Sequence, residues 1–94
     1  MIDLGSALPS ALNRLKRLNV GGFVELLTFK RDRGVEILRT GEDRFEVREF
    51  GYRDETVQAG QKDLRRLLKT VLKREFPRSN KVHLREGQRG SGGR

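Results

Sequence analysis

Apolar residues at helical spacing predict a first helix near the start of the chain. Between residues 8 and 18 they recur in steps of three and four, which forms one apolar stripe along the helix. The basic residues of this segment lie outside that stripe. Ser6 or Ser10 is a candidate N-cap, and Pro9 is compatible only with a first turn. Residues 19–22 end this helix, because glycine readily adopts the positive φ of a helix terminus.

A second helix is predicted over residues 61–76, where the helical pattern is strongest. Apolar side chains recur along one face from Leu64 to Phe76, and only Glu75 interrupts them. Asp63 lies in the first turn, where the helix dipole favours an acid, and the proline after Phe76 ends the helix. The opposite face of this helix is basic and carries Lys62, Arg65, Arg66, Lys69 and Lys73.

Four segments between the two helices have the composition and alternation of β-strands. They are residues 23–30, 35–40, 44–52 and 54–59, and turn-forming residues separate them. The first segment is apolar on both faces, which is typical of a strand covered on both sides. The pattern predicts an α+β fold, with an antiparallel four-stranded meander, a long amphipathic helix packed on one face and a short N-terminal helix. Residues 82–84 are a candidate for an additional short strand.

The length of 94 residues indicates one domain. We place it at residues 1–84 and expect residues 85–94 to be a disordered basic tail, because they contain four glycines and no large apolar side chain. A chain this small has a modest core, and its first strand is apolar on both faces. A monomer with a highly charged surface and a homodimer that completes its core across an interface both fit this pattern. We predict the homodimer.

The net charge of +8 lies entirely in the last third of the chain. Residues 1–61 carry ten Lys/Arg and ten Asp/Glu, whereas residues 62–94 carry eleven Lys/Arg and three Asp/Glu. Segregated positive charge predicts a polyanionic partner, most commonly nucleic acid. Like charges four residues apart on the second helix repel one another. The basic face of this helix therefore has three possible explanations. It binds an anionic partner, which is either nucleic acid or an acidic protein; acids of the sheet neutralise its charges; or it is simply solvated.

Residue types that catalysis and metal binding require are scarce. The chain has no cysteine and one histidine, His83, so neither a disulfide nor a thiolate or paired-histidine metal site is expected. No serine has a nucleophile motif, and no glycine-rich phosphate loop is present. We expect no enzymatic activity and no cofactor. The chain has neither a secretory signal pattern nor an apolar segment long enough to span a membrane, so we expect a cytoplasmic protein without a membrane partner.

Aromatic residues next to arginines form a second candidate binding feature, on the third predicted strand and its exit. Nucleobases stack on aromatic rings while guanidinium groups hold phosphates, an arrangement suited to single strands. Alternatively, Phe50 and Tyr52 pack against the first helix or across a dimer. The complete predicted nucleic-acid-binding set is Arg44, Arg48, Phe50, Tyr52, Arg53, Lys62, Arg65, Arg66, Lys69, Lys73, Arg78 and Lys81.

The order of elements and the charge pattern resemble a known family. The strands between residues 23 and 52, followed by the basic helix over 64–76 and the segment 77–81, resemble the small single-stranded-DNA-binding proteins of thermophilic archaea, the ThermoDBP type. The excess of Arg over Lys, 15 to 6, is also typical of thermophiles or GC-rich genomes. The resemblance implies a cleft or sheet where Phe50, Tyr52 and nearby arginines contact a single strand.

Charge, aromatic residues and resemblance together predict a non-enzymatic protein that binds single-stranded DNA or RNA with little sequence preference. The alternative is a protein-interaction module whose basic helix binds an acidic partner.

Overall fold

In the part of the chain that the structure describes, six strands form one antiparallel sheet, and two helices pack on one of its faces. The computed structural model describes residues 2–28, 30, 33–51, 54–76 and 81–88. In chain order the elements are β1 (Ile2–Asp3), α1 (Leu4–Arg17), β2 (Gly22–Leu27), β3 (Gly34–Gly41), β4 (Arg44–Phe50), β5 (Glu55–Ala59), α2 (Gln61–Glu75) and β6 (Lys81–Gln88).

The sheet is a four-stranded meander that two further strands extend at one side. Strands β2 to β5 lie side by side in chain order, and β6 pairs with β2, so the order is β1-β6-β2-β3-β4-β5. Helix α2 leads the chain from β5 at one edge back to β6 near the other. The prediction of a four-stranded sheet is therefore wrong. Strand β6 lacks a regular apolar alternation, and its backbone pairing with β2 is a long-range contact that a local pattern cannot show.

The first helix is as substantial as the second, so the prediction of a short N-terminal helix is also wrong. Helix α1 has 14 residues and α2 has 15. The N-cap of α1 is Asp3 without a side-chain cap bond, so neither Ser6 nor Ser10 caps it. Pro9 lies inside the helix, where its ring nitrogen cannot donate to the Gly5 carbonyl. Gly5 is exposed, so water can satisfy that carbonyl.

Strand β6 also corrects the predicted start of the tail. It continues four residues past position 84, and Gln88 is in register with Gly22 of β2. The ring of Phe23 lies over Gly87, where an added Cβ would be only 2.7 Å from the ring Cζ. Glycine at this position therefore belongs to a packed strand. Residues 89–94 of the predicted tail lie outside the described residues.

The hydrophobic core lies between the two helices and one face of the sheet, which we call the covered face. Helix α1 contributes the fully buried Ala7 and Ala11, whose small side chains allow a close approach to the strands. Helix α2 contributes Leu64 and Leu68, which are 2% and 0% exposed. The strand residues of this core are Val24, Leu26, Val35, Ile37, Phe45, Val47 and Val82.

The other side of the sheet, the open face, is covered in part by its own side chains. Leu27 is only 6% exposed although no helix lies above it. Its Cδ2 atom and the Cζ atom of Phe50 both lie 2.6 Å from the position of a Cβ added to Gly34. The absence of a side chain at Gly34 thus lets two apolar groups lie flat on the sheet. Contacts within one chain therefore explain why β2 is apolar on both faces: its covered side packs against the helices, and Leu27 on its open side packs beside Phe50.

We expect Leu68→Ala to destabilise the fold severely. Leu68 is fully buried at the centre of α2, and removal of a buried leucine side chain costs about 2–5 kcal/mol. Val20→Ala is the control, because Val20 is 58% exposed and its truncation should change stability by less than about 0.5 kcal/mol. Urea denaturation measures both. Equal midpoints for the two variants would contradict the packing of α2 on the sheet.

Candidate nucleic-acid interface

The sheet separates the predicted site residues into two groups. Alternation along β4 places Phe50 and its neighbouring arginines, Arg44 and Arg48, on the open face. Helix α2 packs on the covered face and presents its exposed cations away from the sheet. Phe50 and the basic face of α2, two separate features of the predicted set, therefore lie on opposite sides of the sheet. Tyr52, Arg53 and Arg78 lie outside the described residues.

Most of the net charge lies on α1 and α2, which together we call the helical layer. These helices contain nine Lys/Arg and two Asp/Glu, a net charge of +7 out of +8 for the whole chain. Three of these cations, Arg14, Lys16 and Arg17, come from the first third of the sequence. Folding therefore gathers positive charge from two distant segments onto one side of the molecule.

Acids on the covered face neutralise the helix cations that point toward the sheet. Arg74 of α2 donates from Nη2 to Glu49 Oε1 at 2.8 Å and from Nε to the same oxygen at 3.1 Å. Glu49 is only 3% exposed, so this two-pronged ion pair is largely shielded from water. Arg14 of α1 pairs with Glu86 of β6 at 2.8 Å, in an exposed position.

The outward cations of the helical layer have no such partners. They are exposed, and none forms an ion pair with another residue in the part of the chain that the structure describes. Repulsion between like charges at i,i+4 on α2 is therefore uncompensated among the described residues. Of the alternatives that the sequence leaves open, neutralisation by sheet acids does not apply to this set: Lys16, Arg17, Lys62, Arg65, Arg66, Lys69 and Lys73.

A groove between α1 and α2, the interhelical groove, contains two pockets with apolar floors and basic rims. The first pocket, of about 240 Å³, has Lys16 of α1 and Arg65 of α2 in its lining. The second, of about 450 Å³, has Lys69 and Lys73. No carboxylate of the described residues lines either pocket, so the groove is suited to anions.

Arg39 of β3 lines the first pocket and is a residue that sequence reasoning missed. Its Nη1 donates to the Leu18 carbonyl at 2.7 Å, and its Nε and Nη2 donate to the carbonyls of Gly41 at 3.1 Å and Glu42 at 2.6 Å. Its guanidinium also lies over the Phe45 ring, 5.6 Å from the centroid. No local pattern marks such a residue, because the fold alone brings α1 and the β3–β4 turn together.

The open face has balanced charge, unlike the helical layer. Arg48 lies over the Phe50 ring at 5.9 Å, and Arg85 approaches Glu25 at 3.6 Å. Lys81 forms a 2.8 Å pair with Asp3 at the β1 edge, and this hydrogen bond lowers the pKa of the Asp3 carboxyl. Besides that pair and His83, the ionisable groups of strands β2, β3, β4 and β6 on this face are three arginines and three glutamates: Arg44, Arg48, Arg85, Glu25, Glu36 and Glu46.

The described residues hold neither a metal-binding cluster nor a membrane-spanning helix. They contain no group of three or more His, Cys, Asp or Glu placed to hold a metal ion. None of their helices is both long and apolar enough to cross a membrane. His83, the one histidine, is half-buried on β6 and faces the open side of the sheet.

Comparison with known proteins identifies no family. No family model matches the chain, and no curated protein or solved structure matches it significantly. The resemblance to archaeal single-stranded-DNA-binding proteins stays a prediction, and the function has to be inferred from the residues themselves.

We expect Arg74→Gln to be far more destabilising than Arg14→Gln. Loss of Arg74 leaves the buried Glu49 carboxylate without its cation, at a cost of about 3 kcal/mol. The exposed pair between Arg14 and Glu86 contributes less than about 1 kcal/mol. Both variants remove one positive charge from the helical layer, so denaturation curves compare the two pairs directly. Similar losses would show that the buried pair does not anchor α2.

Proposed function

We propose that this protein binds nucleic acid, without enzymatic activity, through phosphate contacts on the helical layer. The observation that carries the proposal is the set of outward cations on α1 and α2 that have no acidic partner among the described residues. Phosphate groups of a nucleic acid backbone would relieve the repulsion among these cations, and release of counterions would favour binding. Such contacts carry little sequence information, so we expect little base preference.

Phosphate contact rather than base stacking is the mode that this geometry favours. The aromatic rings of the core, Phe45 and Phe76, are 2% and 1% exposed and offer no platform beside the basic helices. Phe50 lies on the opposite face and packs over Gly34 and beneath Arg48. A preference for single strands, as the sequence predicts, would require contacts on the open face in addition to the helical layer.

An acidic protein partner is the second candidate. The lining of the second pocket combines apolar residues, among them Leu72 and Phe76, with Lys69 and Lys73. An amphipathic acidic helix has the complementary pattern for such a groove. Unrelated polynucleotide should displace a bound nucleic acid but should not displace a specific protein partner at moderate salt, so competition discriminates the two functions.

We expect the triple variant Arg65→Gln, Arg66→Gln and Lys69→Gln to lose affinity for all oligonucleotides alike. Each phosphate contact contributes about 0.7 to the slope of log K against log salt for a single strand. Loss of three contacts should therefore reduce the slope by about 2. Fluorescence anisotropy with a labelled oligonucleotide at several salt concentrations measures both the affinity and the slope.

The matched control removes the same charge from the open face. Arg44→Gln, Arg48→Gln and Arg85→Gln replace three exposed arginines there and should leave the slope close to that of the wild type. Equal effects of the two triple variants would contradict a site on the helical layer. Absence of binding by the wild type at low salt would overturn the proposal and favour the acidic partner.

Phe50→Ala tests the stacking role in the same titrations. If Phe50 stacks on a base, its loss should weaken single-strand binding by about 1–3 kcal/mol without a change in the salt slope. The affinity for duplex DNA should then change less, because paired bases offer no free face. Equal effects on both substrates would assign Phe50 to the sheet surface alone.

The homodimer also belongs to this proposal, and β5 is its best candidate interface. This edge strand is mostly exposed, and Val57 at its centre is 37% exposed. Edge strands carry unpaired backbone groups that can pair with a second chain. Sedimentation should give twice the chain mass of 10.8 kDa at micromolar concentration, and Val57→Lys should shift the protein toward the monomer. A wild-type monomer would contradict the homodimer.

The cytoplasmic location stays a prediction.

A further inference from the structure

We propose that the first pocket of the interhelical groove binds a phosphate monoester attached to an apolar or aromatic group. Two sources supply this chemistry: a free mononucleotide, and the phosphorylated end of a nucleic acid strand. The second source rests on the proposed function, whereas the first does not. The pocket differs from the outer face of α2 because cations from three elements line one cavity.

Three elements each contribute one cation to the pocket. Lys16 comes from α1, Arg39 from β3 and Arg65 from α2, and no acidic side chain in the described part of the chain lines the cavity. Side chains that flank the contact between packed helices commonly have opposite charges. Here Lys16 and Arg65 have the same charge and repel each other. An anion bound between them would remove this repulsion. A phosphate dianion carries the charge and the acceptor oxygens that these three groups require.

Arg39 gives the pocket a guanidinium whose position is fixed. Three backbone carbonyls accept its hydrogen bonds, at 2.6, 2.7 and 3.1 Å. A guanidinium has five N–H groups, so two remain for a ligand. Its charge is partly buried and has no carboxylate partner among the described residues, a situation that costs free energy unless an anion compensates it. The ligand would therefore meet a preorganised group.

The floor and size of the pocket define the rest of the ligand. Leu12, Leu15 and Leu64 line it beside the cations, so an apolar or aromatic group can lie against them. The volume of about 240 Å³ is below the range of about 300–1,000 Å³ typical of drug-sized ligands. One phosphorylated group fits such a space better than a continuous backbone. Among the described residues, the cations of the second pocket are two lysines of α2, without a fixed guanidinium, so it lacks this specificity.

Titration of the whole chain with three probes tests the ligand class. The probes are adenosine monophosphate, inorganic phosphate and adenosine, and binding is measured by calorimetry at low salt. We expect adenosine monophosphate to bind at least about tenfold more tightly than either other probe, because only it satisfies both the cations and the apolar floor. Equal binding of phosphate and adenosine monophosphate, or no binding of either, would overturn the proposal.

Two matched double variants locate the site. Lys16→Gln with Arg65→Gln removes two pocket cations, whereas Lys62→Gln with Arg66→Gln removes two exposed cations that do not line the pocket. We expect the first pair to weaken adenosine monophosphate binding by at least about tenfold and the second to change it little. These surface positions avoid the structural role of Arg39. Equal losses would show that only the general positive field attracts the nucleotide.

The second source is tested with oligonucleotides that differ only in a terminal phosphate. If strand ends enter the pocket, the phosphorylated oligonucleotide should bind more tightly than its hydroxyl counterpart, and the Lys16/Arg65 double variant should abolish that difference. Tight adenosine monophosphate binding without such a difference would assign the pocket to free nucleotides.

If oligonucleotides bind but no probe enters the pocket, the inference fails while the proposed function stands. If adenosine monophosphate alone binds, the proposed function fails and the pocket remains.

Discussion

The packing of both helices against one face of the sheet is the constraint on which the other features depend. Small residues such as Ala7 and Ala11 let α1 lie close to the strands, while Leu64 and Leu68 anchor α2 beside it. A single apolar layer therefore supplies the core of a short chain. Because the apolar stripes of the two helices point inward, their basic residues must point outward. The stability of the core and the location of the positive charge have the same origin.

The sheet also keeps the acids of the open face away from the cations of the helical layer. Acids on the covered face reach only the cations that point inward, as in the pair between Arg74 and Glu49. Acids on the open face, such as Glu25, pair with arginines of their own side. The outward cations of the helical layer are beyond the reach of both sets. The resulting separation of charge leaves one side of the molecule suited to a polyanion and the other nearly neutral.

Arg39 connects the fold to the chemistry of the interhelical groove. Its bonds to the carbonyls of Leu18 and Glu42 join the end of α1 to the β3–β4 turn. The same guanidinium contributes to the first pocket, near Lys16 and Arg65. A residue that joins two distant segments and retains unused hydrogen-bond donors has both a structural and a binding role. This combination explains why a positive charge occurs at a partly buried position that no carboxylate of the described residues neutralises.

Local patterns determined the elements of this protein, and tertiary structure decided how they are arranged. Apolar spacing is a property of neighbouring residues, so α2 and the strands from β2 to β5 could be predicted from it. Only residues 82–84 of β6 were a candidate strand, because the stability of the full strand comes from pairing with β2, about sixty residues away along the chain. The basic face of α2 was likewise visible in the sequence, whereas its separation from Phe50 was not. Alternation shows which residues share a strand face, but only packing decides which face the helices cover. Lys16 and Arg39 became site residues for the same reason: contact between distant segments depends on the whole fold.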